Sequence, residues 1–363
     1  MGCSSSKVVG APAASSTPPK CSVVDAGSCD SYKASRLFAP LNVDKSRAVA
    51  AILLVHGNCL ESMEDKEEGW MYMYTMAEYL TANLGVVSMI IGMHDDDTQK
   101  LDEKYPGWQE REGLNDAAKA ASGLLTNGRN AWPAAYYGDS IAVAIENLVP
   151  AAMQKLGVSV DSTRIALVGH SMGGGGVLYA AAVQCKSNIK AVAALNPSHM
   201  ATLTPFDGFD ECVQYAKGKA HSGENGEGVL SHLANITVPC YVYGSRAEYN
   251  TSIDASMGVV INTISQFLDT VKSPCWPEYS CVYRQLGTTT KELYVDDVTD
   301  VDWGKSHNWL KADLESFAGG APINVLCSFL RRRVLESGEE APKKPGNAYK
   351  WEQEPKGGGE VVA

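Results

Sequence analysis

Gly169-His170-Ser171-Met172-Gly173 sets one hydroxyl between glycines two residues away on either side, and three more glycines follow through Gly176. The apolar run RIALVGHS (164–171) leads into it and GGVLYAAAVQC (175–185) leads out, so the serine falls where a buried strand turns directly into a helix. In that context G-x-S-x-G describes a nucleophile on a sharp turn. A strained backbone exposes the hydroxyl, and side chains at the flanking glycine positions would collide with the neighbouring strand and helix. The chemistry open to such a serine is acyl transfer, and it requires a base to remove the hydroxyl proton.

Seven histidines are available for that role. His56 and His94 end early apolar runs, His170 flanks the serine, His199 follows the fourth run, and His221 and His232 lie in polar sequence. Only His307, in GKSHNWL, follows the last predicted strand and precedes a helical pattern, so His307 is the predicted base, with His221 and His199 as alternatives. An orienting carboxylate is expected just beyond the preceding strand, where VPCYVYGSRAEYN offers Glu248, with Asp254 as its competitor. The order Ser171, Glu248, His307 is the Ser…Asp/Glu…His order of a doubly wound hydrolase sheet. Two backbone donors are predicted for the oxyanion: the N–H of Met172, directly after the nucleophile, and the N–H of Asn58, after the apolar run that ends in His56-Gly57.

The elements that must position these residues follow from short apolar runs at 48–57, 85–94, 164–171, 189–197, 238–245 and 291–297. Runs without alternation suit strands buried on both faces, and helical patterns at 70–84, 140–156, 175–185, 308–317 and 323–337 separate many of them. The predicted fold class is therefore α/β, a mostly parallel, doubly wound sheet with helices on both faces. Residues 1–35 and 338–363 read as tails, and 36–337 as one domain enlarged by insertions near 95–139 and 200–237.

The net charge of −11, without a dense basic stripe, argues against nucleic acid as a partner. The ten cysteines lack paired zinc-site spacings, so no metal is expected, and acyl transfer through a serine needs no organic cofactor. The start MGCSSSK fits N-myristoylation at Gly2 with a palmitate on Cys3, two chains that together would anchor the protein stably at a membrane surface. A monomeric, cytoplasmic, membrane-anchored chain is the expectation. Secretion is the alternative, under which Cys275 and Cys281 could close a ring and the sequons at Asn235 and Asn250 would matter.

Assembled in this way, the chain resembles the α/β-hydrolase superfamily, and within it the branch of dienelactone hydrolases, bacterial cutinases (polyesterases) and platelet-activating-factor acetylhydrolases. GHSMGGGG is similar to the elbow of the cutinase-like polyesterases, IKAVAALNPSHM resembles their strand ending in Pro-Trp-His, and VPCYVYGSRAE resembles their strand ending in Gly-Ala-Asp-Leu-Asp. The resemblance implies a serine ester hydrolase, with Glu248 at the family's acid and Asn58 at its first oxyanion donor. Ser198 stands where the polyesterases carry a tryptophan that packs on the substrate ring, so Ser198 and His199 are expected to line a differently shaped cleft. Lipid-like or other amphiphilic esters are the expected substrates. A thioesterase or chlorophyllase-like esterase shares the reaction class, and a catalytically silent, membrane-tethered binding or signalling module is the rival from another class.

Overall fold

The structure, a computed structural model, describes residues 21–32, 34–57, 72–93, 134–185, 189–197, 229–245, 286–296, 309–311 and 314–336. Among them eight strands form one sheet: β1 (Cys21–Asp25), β2 (Ala34–Pro40), β3 (Val49–Val55), β4 (Val87–Gly92), β5 (Val160–His170), β6 (Ala191–Leu195), β7 (Cys240–Ser245) and β8 (Lys291–Asp296). Their order across the sheet is β1-β2-β4-β3-β5-β6-β7-β8. The pairs β1–β2 and β2–β4 are antiparallel, and every pair from β4 to β8 is parallel.

Side-chain alternation along β3 shows why its sequence is apolar throughout. Ala51, Leu53 and Val55 point into one core, with Tyr137, Ile141 and Leu148 of α2 (Ala134–Leu156) and Val177 and Leu178 of α3 (Met172–Ala182). Ala50, Ile52 and Leu54 point into a second core, with Met73, Met76 and Leu80 of α1 (Tyr72–Leu84) and Ile323, Leu326 and Leu330 of α4 (Ala321–Leu330). A strand covered by helices on both faces has no solvent side on which to place polar residues. Met73, Met76, Ala77 and Leu80 of α1 are each 0% exposed and recur at helical spacing, so one stripe of that helix is given wholly to the sheet. α2 ends at Gly157, whose φ of 65° and N–H bond to the Met153 carbonyl (3.0 Å) make a left-handed cap.

Three expectations need correction. The predicted tail over 1–35 gives way to an ordered edge at β1, which pairs with β2 from Cys21 opposite Pro40 to Asp25 opposite Arg36. An Asp25–Arg36 ion pair at 3.0 Å closes the hairpin. The insertion placed at 95–139 ends earlier, because α2 begins at Ala134. The helix expected over 308–317 does not form as one: Trp309–Lys311 is a single 3₁₀ turn, and a second short turn spans Phe317–Gly320. Beyond α4 the chain widens into a π turn at Arg331–Leu335, where Glu292 of β8 accepts from Arg332 (2.7 Å) and Arg333 (3.3 Å). The 338–363 tail, most of the two insertions and the first twenty residues lie outside the described residues.

Candidate active site

β5 ends at His170 and α3 begins at Met172, which leaves Ser171 alone at the junction. Its φ of 55° and ψ of −123° lie in a region that serine rarely occupies. Strain of this kind persists only where surrounding contacts over-determine it. Here the Ser171 N–H donates to the Leu195 carbonyl at the end of β6 (2.9 Å), and the Gly175 N–H donates back to the Ser171 carbonyl (3.2 Å). The sharp turn is pinned from both sides.

Glycine is required around it by direct contact. A Cβ on Gly173 would overlap the carbonyl oxygens of Val55 and His56, both main-chain atoms that cannot turn aside. A Cβ on Gly169 would strike the Gly173 carbonyl. A Cβ on Gly57 would sit 2.5 Å from Ser171 Cβ and 3.1 Å from Ser171 Oγ. The loop leaving β3 therefore passes directly against the Ser171 side chain.

Met172 is 2% exposed and occupies the first helical position of α3, so its N–H has no intrahelical acceptor and points out of the helix start. The positive end of the helix dipole reinforces that donor toward an anion. All eleven residues of α3 are buried, which fixes the axis on which the elbow rests.

His56 carries a role that sequence reasoning missed. The ring is 1% exposed, its Nε2 accepts from the Met93 N–H (2.9 Å) and its Nδ1 lies 2.7 Å from the Gly57 carbonyl. Since Nε2 accepts, the proton resides on Nδ1 and is donated to Gly57, so one neutral imidazole ties the loop after β3 to the end of β4. Burial holds its pKa down to about 4, against 6.5 for an ordinary histidine. The only sequence signal was a histidine at the end of an apolar run, and its partner Met93 lies 37 residues away.

Of the other predicted positions, Asn58, Ser198, His199, Glu248, His307, Gly2 and Cys3 lie outside the described residues, as do the alternatives Asp254 and His221. Their described neighbours are Gly57, Pro197, the end of β7 at Ser245, and Trp309. Cys21, Cys185, Cys240 and Cys327 are free and buried. Burial pushes the Cys21 thiol up to about 11 and those of Cys185 and Cys327 up to about 12, and raises Cys240 as well. Thiols in such surroundings are inert packing groups. Among the described residues no cluster of side chains could hold a metal, and no helix is long and apolar enough to cross a membrane.

Part of the chain resembles a known family. Residues 130–205, which span α2, the elbow and β6, match the PET hydrolase-like family. No curated protein sequence matches the chain. Among solved structures, a dienelactone hydrolase from Anabaena variabilis is similar at 14% identity and a TM-score of 0.44, covering 87% of this chain and 99% of its own. An inhibited esterase B from Lactobacillus rhamnosis is similar at 13% identity and a TM-score of 0.45, covering 87% of this chain and 89% of its own. The strand order, the antiparallel β2 and a nucleophile-type elbow between β5 and α3 make this an α/β-hydrolase fold.

Proposed function

We propose that this protein is a serine carboxylic-ester hydrolase. The observation that carries the reading is Ser171 itself, held at φ 55° between a buried strand and a buried helix with the loop after β3 against its hydroxyl. Backbone strain of this kind clusters at active sites, which supports a chemical duty for Ser171. In the reaction Ser171 Oγ attacks the ester carbonyl while His307 takes the hydroxyl proton and passes it to the leaving alcohol. The N–H groups of Met172 and Asn58 receive the developing oxyanion, and water then cleaves the acyl-enzyme by the same route.

Chain connectivity supports the assignment of base and acid. Trp309 is 1% exposed against Tyr243 of β7, with ring centroids 5.1 Å apart, so the chain two residues after His307 is anchored at the carboxyl end of the sheet. Two residues span at most about 7 Å and three about 11 Å, so His307 is tethered near Trp309 and Glu248 near the end of β7. Asp254, six residues further on, remains the alternative acid. The substrates we propose are lipid-like or other amphiphilic esters, met at a membrane surface to which acyl chains on Gly2 and Cys3 hold the enzyme.

Labelling with a fluorophosphonate probe tests the reading. Wild type should label, Ser171→Ala should not, and His307→Ala should label at least about 10²-fold more slowly. Comparing Glu248→Ala with Asp254→Ala identifies the acid. A folded wild type that neither labels nor hydrolyses a panel of esters overturns the proposal. Intact-mass analysis of the native N-terminus reads the acylation directly.

A further inference from the structure

We infer that Asn196 and Trp309 form the positioning pair of the catalytic base, fixing the segment that carries His307 to the same turn that pins the nucleophile. The inference rests on the hydrolase reading and on His307 as its base. Asn196 follows the last residue of β6, is 3% exposed and has a φ of 44°, a left-handed conformation that asparagine tolerates better than most residues. Its N–H donates to the Tyr243 carbonyl of β7 (2.9 Å), and its Oδ1 accepts from Trp309 Nε1 (3.0 Å). The residue before it, Leu195, accepts the Ser171 N–H (2.9 Å). The residue after it, Pro197, lies 3.0 Å from where a Cβ on Gly174 of α3 would stand.

Three parts of the site thus meet at one residue: the nucleophile turn through Leu195, the strand leading to the acid through Tyr243, and the base segment through Trp309. Asn196 Nδ2 has no hydrogen-bond partner among the described residues, so within them the indole alone orients the carboxamide. A buried amide with half its capacity unused is poor economy for stability alone, since a buried donor without an acceptor is destabilising. Glycine would take the same φ without strain, but it has no oxygen for the indole. Trp309 is a suitable anchor because it is rigid and wedged between Tyr243 (5.1 Å between centroids) and Phe317 (6.0 Å). The bond therefore holds Trp309, which lies two residues along the chain from the proposed base His307.

The test is Trp309→Phe, which keeps a buried ring and removes the N–H, read together with Asn196→Gly, which relaxes the backbone and removes the acceptor, and Asn196→Asp, which keeps an acceptor. Each is assayed on a soluble short-chain ester and by the rate of fluorophosphonate labelling. Trp309→Phe and Asn196→Gly should each lower kcat and labelling on the order of 10–100-fold with KM within about twofold, the scale of a misplaced catalytic group. Asn196→Asp should recover most of what Asn196→Gly loses. The double variant Trp309→Phe/Asn196→Gly should be no slower than the slower single, because both remove one bond. Wild-type labelling rates in Asn196→Gly overturn the inference, even if its thermal stability falls, and that comparison with Asn196→Asp stands should Trp309→Phe fail to fold. Failure of the underlying reading looks different: wild type does not label, or His307→Ala labels at the wild-type rate.

Discussion

Mild acid should loosen this fold through His56 before it reaches the Asp161 carboxylate. The folded-state pKa of the imidazole is about 4, against 6.5 for an ordinary histidine, because burial opposes the cation. The Met93 N–H also requires the neutral ring, since Nε2 must keep its lone pair for it, while the Gly57 carbonyl, an acceptor, favours the cation and offsets only part of the effect of burial. Between those two values the unfolded chain binds a proton that the folded chain refuses, so stability is complete above pH 6.5, falls as pH drops toward 4, and levels off below it. The slope is about 1.4 kcal/mol per pH unit and the whole window is worth roughly 3 kcal/mol, a large part of the ~5–15 kcal/mol typical of a domain. Asp161, whose carboxyl is held down to about 2 by bonds from Thr163 and Arg164, titrates below this window. The assay is urea unfolding of wild type and His56→Asn at pH values of about 7, 6 and 5. Asparagine Nδ2 stands where Nδ1 stood and can still donate to Gly57, while the Met93 N–H loses its acceptor, so the variant starts about 1–3 kcal/mol less stable. That gap should shrink by about 1.4 kcal/mol per pH unit between pH 6 and 5, with every other titration common to both proteins. A gap independent of pH would refute the argument.

Other substitutions probe the remaining supports. Gly173→Ala drives a methyl into the Val55 and His56 carbonyls; we expect a loss of at least about 3 kcal/mol in urea unfolding, or no soluble protein, and a wild-type midpoint would contradict the close approach. Gly57→Ala sets its methyl 2.5 Å from Ser171 Cβ. It should slow fluorophosphonate labelling on the order of 10²-fold, a loss far out of proportion to its effect on the melting temperature. Glu292→Gln leaves Arg332 and Arg333, whose side chains are only 12% and 24% exposed, without their shared carboxylate. The expected cost is about 3 kcal/mol by chemical denaturation, and a loss below about 0.5 kcal/mol would mark the cluster as a solvated surface feature.

Which parts of the molecule can be read from sequence follows from where the information lies. Five of the eight described strands, β3 to β7, announce themselves because burial on two faces leaves apolar runs, and β8 was also predicted although Lys291 to Tyr294 are only partly buried. β1 and β2 do not: β1 has five residues with a mixed burial pattern, and it is preceded by twenty residues of tail-like composition, so only its pairing with β2 marks it as a strand. The segment 308–317 has helical apolar spacing, yet Trp309 is held by Asn196 and two aromatic rings, and those tertiary contacts override the local pattern. The first turn of α2 went unread because Gly138 weakens any helix prediction, whereas in the fold the neighbouring Tyr137 packs on Gly176 so closely that a Cβ there would lie 2.6 Å from it. The turn that carries Ser171 and Met172 was legible because it is local, a junction between one strand and one helix. The duties of His56 and Asn196 were not, because each depends on a partner more than thirty residues distant, Met93 for one and Trp309 for the other.

Register explains how one half of the site is built independently of long connections. Val55 pairs with Gly169, Gly169 with Ala194, and Leu195 with Tyr243, so the carboxyl ends of β3, β5, β6 and β7 lie level along one edge of the sheet. Parallel pairing with buried side chains on both faces forbids a one-residue slip, since a slip would carry each strand's two side-chain sets into the opposite cores. Gly57, Ser171 and Asn196 are the first or second residues beyond those ends, and their contacts follow from that alignment. The described chain continues past the ends of β4 and β6 as far as Met93 and Pro197, so the alignment of these strand ends rests on pairing alone and not on the longer connections. The backbone around Ser171 is therefore set by the sheet and by three short turns, whatever the length of the connections between the strands.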